Sequence, residues 1–345
     1  MMASPDVQRG TTEPRPARPM TVAWFTYFPI EWLPDLPGHL RGLPRQHPAT
    51  WQRVLLAELE NDPAVRLHVV VLRRHFPRSE TWERNGVTFH LIKSPGGLRA
   101  PTMYWVDTWL VRRALRRIQP DVVHAWGTES GAALVASRLR YPNVVTMQGL
   151  LNWLAETTRL DAYHWLAARW ESRSLRRASL VTAESSFAIS YLRQRYPHLD
   201  LHQIEHAPLP LFHDVVRRPQ LAPACLLYVG AVSRAKGADV LFEALAGLMD
   251  VPWELVVVGR GDEPFVAGLK GRHPAAFWER VRFRGVLTSE QIMAELAEST
   301  MLVYPTLCDN SPNAVKEAAV AGVPVVASAV GGICLLYTSP SPRDS

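Results

Sequence analysis

Asp309 and Glu317 stand eight positions apart in the segment VYPTLCDNSPNAVKEAAVAGVPVVASAVGGI, Val303 to Ile333. A turn-rich DNSPN stretch lies between them and opens a helix that should stop at Gly322, ahead of a buried strand VPVVAS. Carboxylates so placed can accept hydrogen bonds from the hydroxyls of a sugar. The helix N-terminus beside them, with free N–H groups and a positive dipole end, suits a phosphate.

Two further loops in the same half of the chain carry compatible chemistry. Gly230 to Gly237, GAVSRAKG, sets Lys236 and Gly237 between a strand and a helix, where a cation and backbone N–H groups can meet a diphosphate. Gly259 to Glu263, GRGDE, offers small residues that let a ligand approach the backbone. Taken singly, a glycine-flanked loop is usually only a turn. Three of them in this order, each after a strand, are a stronger signal.

The elements that must position these loops follow from alternating apolar runs and helical patterns. Strands are expected at TVAWFT, LHVVVL, VTFHLI, DVVHAW, NVVTM and SLVTA in the first half, with helices over ATWQRVLLAELE, TESGAALVASRL and YHWLAARWESRSLRRA between them. The stretch Ala207 to Pro223 is Pro-rich and reads as a linker. The pattern then restarts with CLLYVG, ELVVVG, VRFRG, MLVYP and VPVVAS as strands and SEQIMAELAES as a helix. The helix DVLFEALAGL is expected to start on Asp239 as N-cap and to bury Val240, Leu241, Ala244, Leu245 and Leu248. Continuous apolar strands with intervening helices imply an α/β chain of two Rossmann-like lobes with parallel sheets facing a central cleft. The expected divisions are a leader at 1–19, a first lobe at 20–213, a linker at 214–223 and a second lobe at 224–333.

Composition narrows the classes. No apolar run approaches the length of a membrane span. Three scattered cysteines, Cys225, Cys308 and Cys334, form neither a disulfide framework nor a metal pattern, which fits a reducing cytoplasm. Up to Val216 there are 26 Lys+Arg against 19 Asp+Glu, and from Arg217 onward 12 against 13. The basic half also holds ten of the twelve tryptophans and a basic amphipathic helix candidate, WLVRRALRRIQP, Trp109 to Pro120. Such a lobe suits a phosphate-bearing substrate or an anionic membrane surface, and equally a solvated helix face over packed tryptophans. No nucleic-acid motif accompanies the charge. The first strand is followed by YFPIEWLP, without the G-x-G-x-x-G turn of a nicotinamide dehydrogenase.

In order, CLLYVGAVSRAKGADVLFEAL, ELVVVGRGDE, VRFRGVLTSEQI and the Asp309–Glu317 segment resemble the C-terminal lobe of glycosyltransferase family 4, over about Ala224 to Ile333. PDVVHAWGTESG and NVVTMQGL resemble the acceptor-lobe strands of that family more loosely. The resemblance implies a GT-B fold and a retaining transfer from a nucleoside diphosphate sugar to a sugar or lipid-linked acceptor. It implies that Glu317, Asp309 and Lys236 do the central work: Glu317 on the donor's ribose or sugar, Asp309 on sugar hydroxyls, Lys236 on the diphosphate. Gly230, Arg234, Gly237, Gly259, Gly261, Val286, Asn310, Ser311, Pro312, Asn313 and Ala314 would line the donor site. His124, Trp126, Glu129, Gln148 and Gly149 would lie on the acceptor side, Trp126 as a stacking face.

This chain departs from the family pattern in three places. Asp309 stands where a Glu is usual and is one methylene shorter. Ala231 stands where an Arg usually pairs with the Lys, and Arg234 is the nearest substitute. Gln148 stands where a His is usual before the glycine, and Gln cannot act as a base. A GT-B epimerase and an inactive nucleotide-sugar-binding subunit are the competing readings. No D-x-D pair is present, so no metal and no cofactor beyond the donor are expected. Work in the cytoplasm, at the inner face of the membrane, follows from a lipid-linked acceptor. The closing CLLYTSPSPRDS, Cys334 to Ser345, reads as in-frame translation of a transposase sequencing adapter. On that reading the second lobe is incomplete, the chain is truncated, and the strand VPVVAS lacks a covering helix, which favours aggregation.

Overall fold

The computed structural model describes residues 18–158 and 160–333. The leader up to Ala17 and the adapter-like tail lie outside the described residues. Arg18, near the end of the leader, pairs with Asp121 at 2.6 Å.

Two sheets organise the chain. The first is built from β1 (Met20–Phe25), β2 (Val65–Arg73), β3 (Glu80–Arg84), β4 (Val87–Lys93), β5 (Val122–Trp126), β6 (Asn143–Thr146), β7 (Leu180–Ala183) and β8 (Leu201–Gln203), in the order β3-β4-β2-β1-β5-β6-β7-β8. All neighbours are parallel except β3, which runs antiparallel to β4 at the edge. Helices α1 (Thr50–Leu59), α2 (Trp105–Ile118), α3 (Ala132–Ala136), α4 (Leu151–Thr157), α5 (Ala162–Leu175) and α6 (Ser186–Arg195) connect the strands. Layers on both faces are what make β2 so apolar. Val69 and Val71 enter one core and Val70 and Leu72 the other, all of them buried. Strands β3 and β8 were not foreseen: ETWER carries three charges in five residues, and LHQ is too short to show a period. The helix expected over TESGAALVASRL shrinks to α3, five residues buried on every side.

The second sheet is parallel throughout, in the order β11-β10-β9-β12-β13, from β9 (Ala224–Val229), β10 (Trp253–Val258), β11 (Val281–Gly285), β12 (Met301–Tyr304) and β13 (Val325–Ala327). Its helices are α7 (Ala238–Ala246), α8 (Glu263–Lys270), α9 (Ala275–Trp278), α10 (Ser289–Glu298) and α11 (Asn313–Val320). Helix α10 opens on a capping box, Thr288 with Gln291. Helix α7 corrects the sequence expectation. Its N-cap is Gly237, at φ +69, and Asp239 lies inside the first turn. The helix therefore presents Ala238, Leu241, Phe242 and Leu245 to the core, and leaves Val240 and Leu248 exposed. Phe242, the larger apolar group, takes the place that Val240 was expected to fill.

The Pro-rich connection is packed rather than free. Phe212 is fully buried in the second core beside Leu227 and Leu302, a burial worth about 2–3 kcal/mol. Beyond it, Arg217 Nη1, Arg218 N and Gln220 N donate to the carbonyls of Leu296, Ala297 and Glu298 at the end of α10.

The lobes also meet through buried polar groups. Lys316 of α11 donates from Nζ to Glu184 Oε2 (2.8 Å), just past β7, and to the carbonyl of His206 (3.1 Å). Glu184 Oε1 lies 2.8 Å from His206 Nδ1. Burial opposes ionisation of Glu184, but His206 and Lys316 outweigh it and hold the carboxyl below its usual range. Breaking a buried pair by removing one partner costs about 3–5 kcal/mol. Lys316→Met should lower stability by about that amount in urea denaturation followed by tryptophan fluorescence. The double variant Glu184→Gln, Lys316→Met should recover most of the loss. A single variant as stable as the wild type would show that the contact does not hold the lobes.

Candidate active site

The second-lobe loops converge at the carboxyl ends of β9, β10 and β12. The loop after β9 is tied to the loop after β10 by a bridge between Val232 and Gly261, with Val232 N donating to Arg260 O (2.8 Å). Gly230 N donates to Val258 O and Gly259 N to Gly285 O, so Gly230 and Gly259 sit side by side at the strand ends. Gly237 starts α7 with its Cα pressed on the loop after β12. A Cβ there would stand 1.7 Å from Pro305 O, so only glycine fits.

Lys236 and Asp309, assigned to separate parts of the donor, form an ion pair here, Lys236 Nζ to Asp309 Oδ2. Tyr304 OH donates to the same oxygen at 2.7 Å. Burial drives the Tyr304 phenol upward, with Asp309 adding to it, so it remains a donor. Asp309 is thus held as a short acidic arm at the mouth of α11, with Lys236 on top of it. The loop is backed by the Gly331–Gly332 pair: a Cβ on either would stand 1.9 Å from the carbonyl oxygen of Asp309 or Asn310 respectively.

Glu317 lies one turn into α11 and is 6% exposed. Its carboxyl has no hydrogen-bond partner among the described residues. Burial alone raises its pKa to about 7. Helix α11 has no side-chain cap, and the N–H groups of Asn313 and Ala314 have no acceptor among the described residues. Pro312 is buried at the N-cap and Ser311 half-buried before it. An unpaired carboxyl and uncapped amides lie on one short helix, as binding a hydroxyl and an anion requires.

Some expected donor contacts fall elsewhere. Asn310 spends its side chain on the first lobe: Oδ1 accepts from Ser185 Oγ (2.7 Å) and Nδ2 donates to Gln148 O (3.4 Å). The Arg234 side chain is 82% exposed and its Nε lies 3.5 Å from Asp239 Oδ2, turned toward α7 rather than Lys236. Val286 is exposed after β11.

Across the cleft, the first lobe presents a cavity of 290 Å³ with Thr26, His47, Trp51, Gln52, Glu129 and Gln148 in its wall. Glu129 Oε1 accepts from Gly149 N at 2.6 Å, so it braces the loop after β6 as well as lining the cavity. Trp126 lies in the wall of this cavity, as expected, but is not an open stacking face. It is 4% exposed, packed edge-on against Trp24 and stacked on His124 at 4.6 Å. His124 is a correction to the acceptor-side set: it lies on the far side of Trp126 and bonds Thr146 Oγ1 through Nε2 (2.7 Å). Burial pushes its pKa down to about 3, so it is neutral. It lines a different groove, of 480 Å³.

His47 was missed. Its Nδ1 accepts from Ala49 N (3.1 Å), which puts the proton on Nε2. Burial, and then the charge of Lys236, lowers its pKa. His47 and Lys236 are therefore within electrostatic reach of one another. Only the loop QHPAT ahead of α1 hinted at it. Among the described residues no three His, Cys, Asp or Glu side chains are grouped to hold a metal, and no helix is long and apolar enough to cross a membrane.

Comparison with known proteins now places the chain. The profile described as "Glycosyltransferase Family 4" matches residues 53–241, and "Glycosyl transferases group 1" matches residues 223–339. The chain belongs to glycosyltransferase family 4. A GDP-mannose-dependent alpha-mannosyltransferase of Corynebacterium glutamicum is 25% identical over 233 residues, covering 64% of this chain and 54% of the relative. A 2-deoxystreptamine glucosyltransferase of Streptomyces kanamyceticus is 29% identical over 117 residues, 34% of this chain and 30% of the relative. The chain spans about half the length of the mannosyltransferase it matches. Its fold is the GT-B fold of the solved sucrose-phosphate synthase from Thermosynechococcus elongatus (TM-score 0.67, 16% identity, 92% of this chain and 83% of that one). Anabaena HepE in complex with UDP and glucose shares it too (TM-score 0.64, 17% identity, 92% and 83%).

For this family 4 chain the buried Glu317 has a thermodynamic signature. At low pH the carboxyl is protonated in both folded and unfolded chains. Between about 4.5 and about 7 the unfolded chain has lost the proton and the folded chain keeps it, so stability falls as pH rises. Above about 7 the loss is complete and on the order of 3 kcal/mol. Glu317→Gln should remove this fall and be the more stable protein at pH 8. Thermal melts at pH 5 and pH 8 measure it, and equal pH dependence in both proteins would refute the assignment.

Proposed function

We propose that the protein transfers a sugar from a nucleoside diphosphate sugar to an acceptor in the first-lobe cavity, with retention of anomeric configuration. One observation carries the reading. Lys236 pairs with Asp309 at the uncapped start of α11, and the next residue of that loop, Asn310, donates to the carbonyl of Gln148 in the wall of the opposite cavity. A donor bridging the two lobes would set its diphosphate on Lys236 and the N–H groups of Asn313 and Ala314. Its sugar would then project toward His47 and Gln148. When the bond from the anomeric carbon to the diphosphate oxygen breaks, negative charge grows on that oxygen, and these fixed donors stabilise it. Asp309 would release Lys236 to the diphosphate and take a sugar hydroxyl. Glu317, buried and unpaired, would accept from a hydroxyl of the ribose or sugar.

Relatives name GDP-mannose and UDP, so GDP- and UDP-sugars are the first donors to assay. Lys236→Ala should lower kcat by about 10²–10³-fold, and Glu317→Gln should abolish most transfer without unfolding the protein. Because a hydroxyl donating to Glu317 favours its ionised form, donor affinity should rise with pH through about 7 and lose that rise in Glu317→Gln. A cation and a helix terminus supply the charge, so the proposal includes no metal requirement. Chelation by EDTA should leave the rate unchanged. Wild-type turnover in Glu317→Gln would refute the role given to it.

An inactive nucleotide-sugar-binding subunit is the second reading, favoured by Ala231 and by the outward turn of Arg234. Binding of UDP or GDP with no glycoside formed on any acceptor would support it. A changed free nucleotide sugar with no acceptor product would instead identify an epimerase. The acceptor side extends to an anionic membrane face in this proposal. Trp105, Trp109 and Trp165 are exposed on α2 and α5, with Arg138 and Arg169 over two of the rings.

A further inference from the structure

A second cavity of 430 Å³ adjoins the first-lobe cavity and shares Tyr27, Leu72, Arg99 and Ser130 with it. Its wall contains Arg73, Arg74, His75, Ser94, Gly96 and Arg99 and no carboxylate. Two of the arginines are anchored from behind. Arg73 Nη1 meets Glu31 at 2.6 Å, and Arg99 Nε meets the fully buried Asp107 at 2.7 Å. These pairs offset part of the charge but also lock the side chains in place. The terminal guanidinium nitrogens of Arg99 have no acceptor among the described residues. Arg74 has no carboxylate partner, and its Nε donates to His75 Nε2 at 3.1 Å.

Ser94, at the end of β4, supplies an independent observation. It is 3% exposed, and its hydroxyl has no hydrogen-bond partner. A buried hydroxyl left unpaired is costly, and a ligand oxygen would remove that cost. The N–H groups of Gly96 and Gly97, in the same SPGG turn, have no acceptor among the described residues either. Forked cations, a hydroxyl and backbone amides arranged around one space are the donors that a tetrahedral oxyanion takes up.

We propose that this cavity is an anion subsite of the acceptor site and holds a phosphate group carried by the acceptor. The inference rests on the transfer reading, in which the adjoining cavity seats the acceptor's reactive hydroxyl. The acceptor then spans both cavities, with its phosphate on Arg74, Arg99 and Ser94 and its hydroxyl toward Gln148 and His47. A soluble sugar phosphate and a lipid-linked phosphate present the same group to this subsite.

Calorimetry with inorganic phosphate tests the site on the full chain, with whichever of UDP or GDP binds present at saturation so that Lys236 is occupied. Wild type should bind phosphate saturably. The double variant Arg74→Ala, Ser94→Ala should bind about tenfold more weakly, with unchanged nucleotide affinity and an unchanged circular dichroism spectrum. Glucose 6-phosphate against glucose, and polyprenyl phosphate in phosphatidylcholine vesicles against vesicles alone, then tell the two sources apart. Loss of binding in the variant in either arm supports the subsite and names its source. Absence of saturable phosphate binding, or equal binding by wild type and variant, overturns it. If neither nucleotide binds, the transfer reading fails by itself, and the Arg74-dependent phosphate signal still decides whether the subsite exists.

Discussion

The geometry of the site depends on a buried ionic contact between the lobes. Lys316 leaves α11 toward the first lobe and meets Glu184 and the carbonyl of His206 there. One residue after Glu184, Ser185 grips Asn310. The end of β7 therefore holds both the helix that carries Glu317 and the loop that carries Asp309. Desolvating a lysine and a glutamate is costly, and the arrangement persists because each charged atom has a partner at hydrogen-bond distance. What it secures is register: a site whose halves lie on separate sheets needs those halves at a fixed distance.

Close backbone approach is the second condition. The Asp309–Asn310 carbonyls rest on Gly331 and Gly332, and the Pro305 carbonyl rests on Gly237. Side chains at these positions would push the loop after β12 outward and separate Lys236 from Asp309. The two glycine contacts and the hydrogen bond from Ser185 to Asn310 thus act on one loop. They leave it little freedom, which suits a site that must present fixed charges to a leaving group.

The first lobe answers with cavities rather than with a single strong group. Its 290 Å³ cavity faces the donor loops, and the arginine-walled 430 Å³ cavity continues from it. Carboxylates such as Glu171 and Glu129 shape this lobe from within. Glu171 is buried and accepts from Thr128 Oγ1, the N–H groups of Leu151 and Asn152, and the Asn152 side chain, so it fixes the loop after β5 to the start of α4. Glu129 does the same for Gly149.

Most of the strands and the order of the loops were legible in the sequence, because each is written in contiguous residues. Apolar β-branched runs have a period, Lys236 lies beside its own glycine, and Glu317 lies on the helix that its loop opens. Other matters had no contiguous expression. Which face of α7 is buried turned on the packing of Phe242 and Leu245 against the core with Trp253, Val257 and Phe277. Asn310 reads as a donor contact in the DNSPN loop until Ser185, 125 residues away, claims it. His124 and Trp126 look like a cleft pair in VHAWG, yet Trp126, packed on Trp24, stands between the acceptor-side cavity and His124, which lines the other groove. His47 and the Ser94–Arg99 cluster carry no motif, because their neighbours come from different strands. The sequence by itself determined the family and the inventory of charged groups. The tertiary structure decided which of those groups meet, since pairing across a cleft is a property of two sheets held in register and not of any one segment.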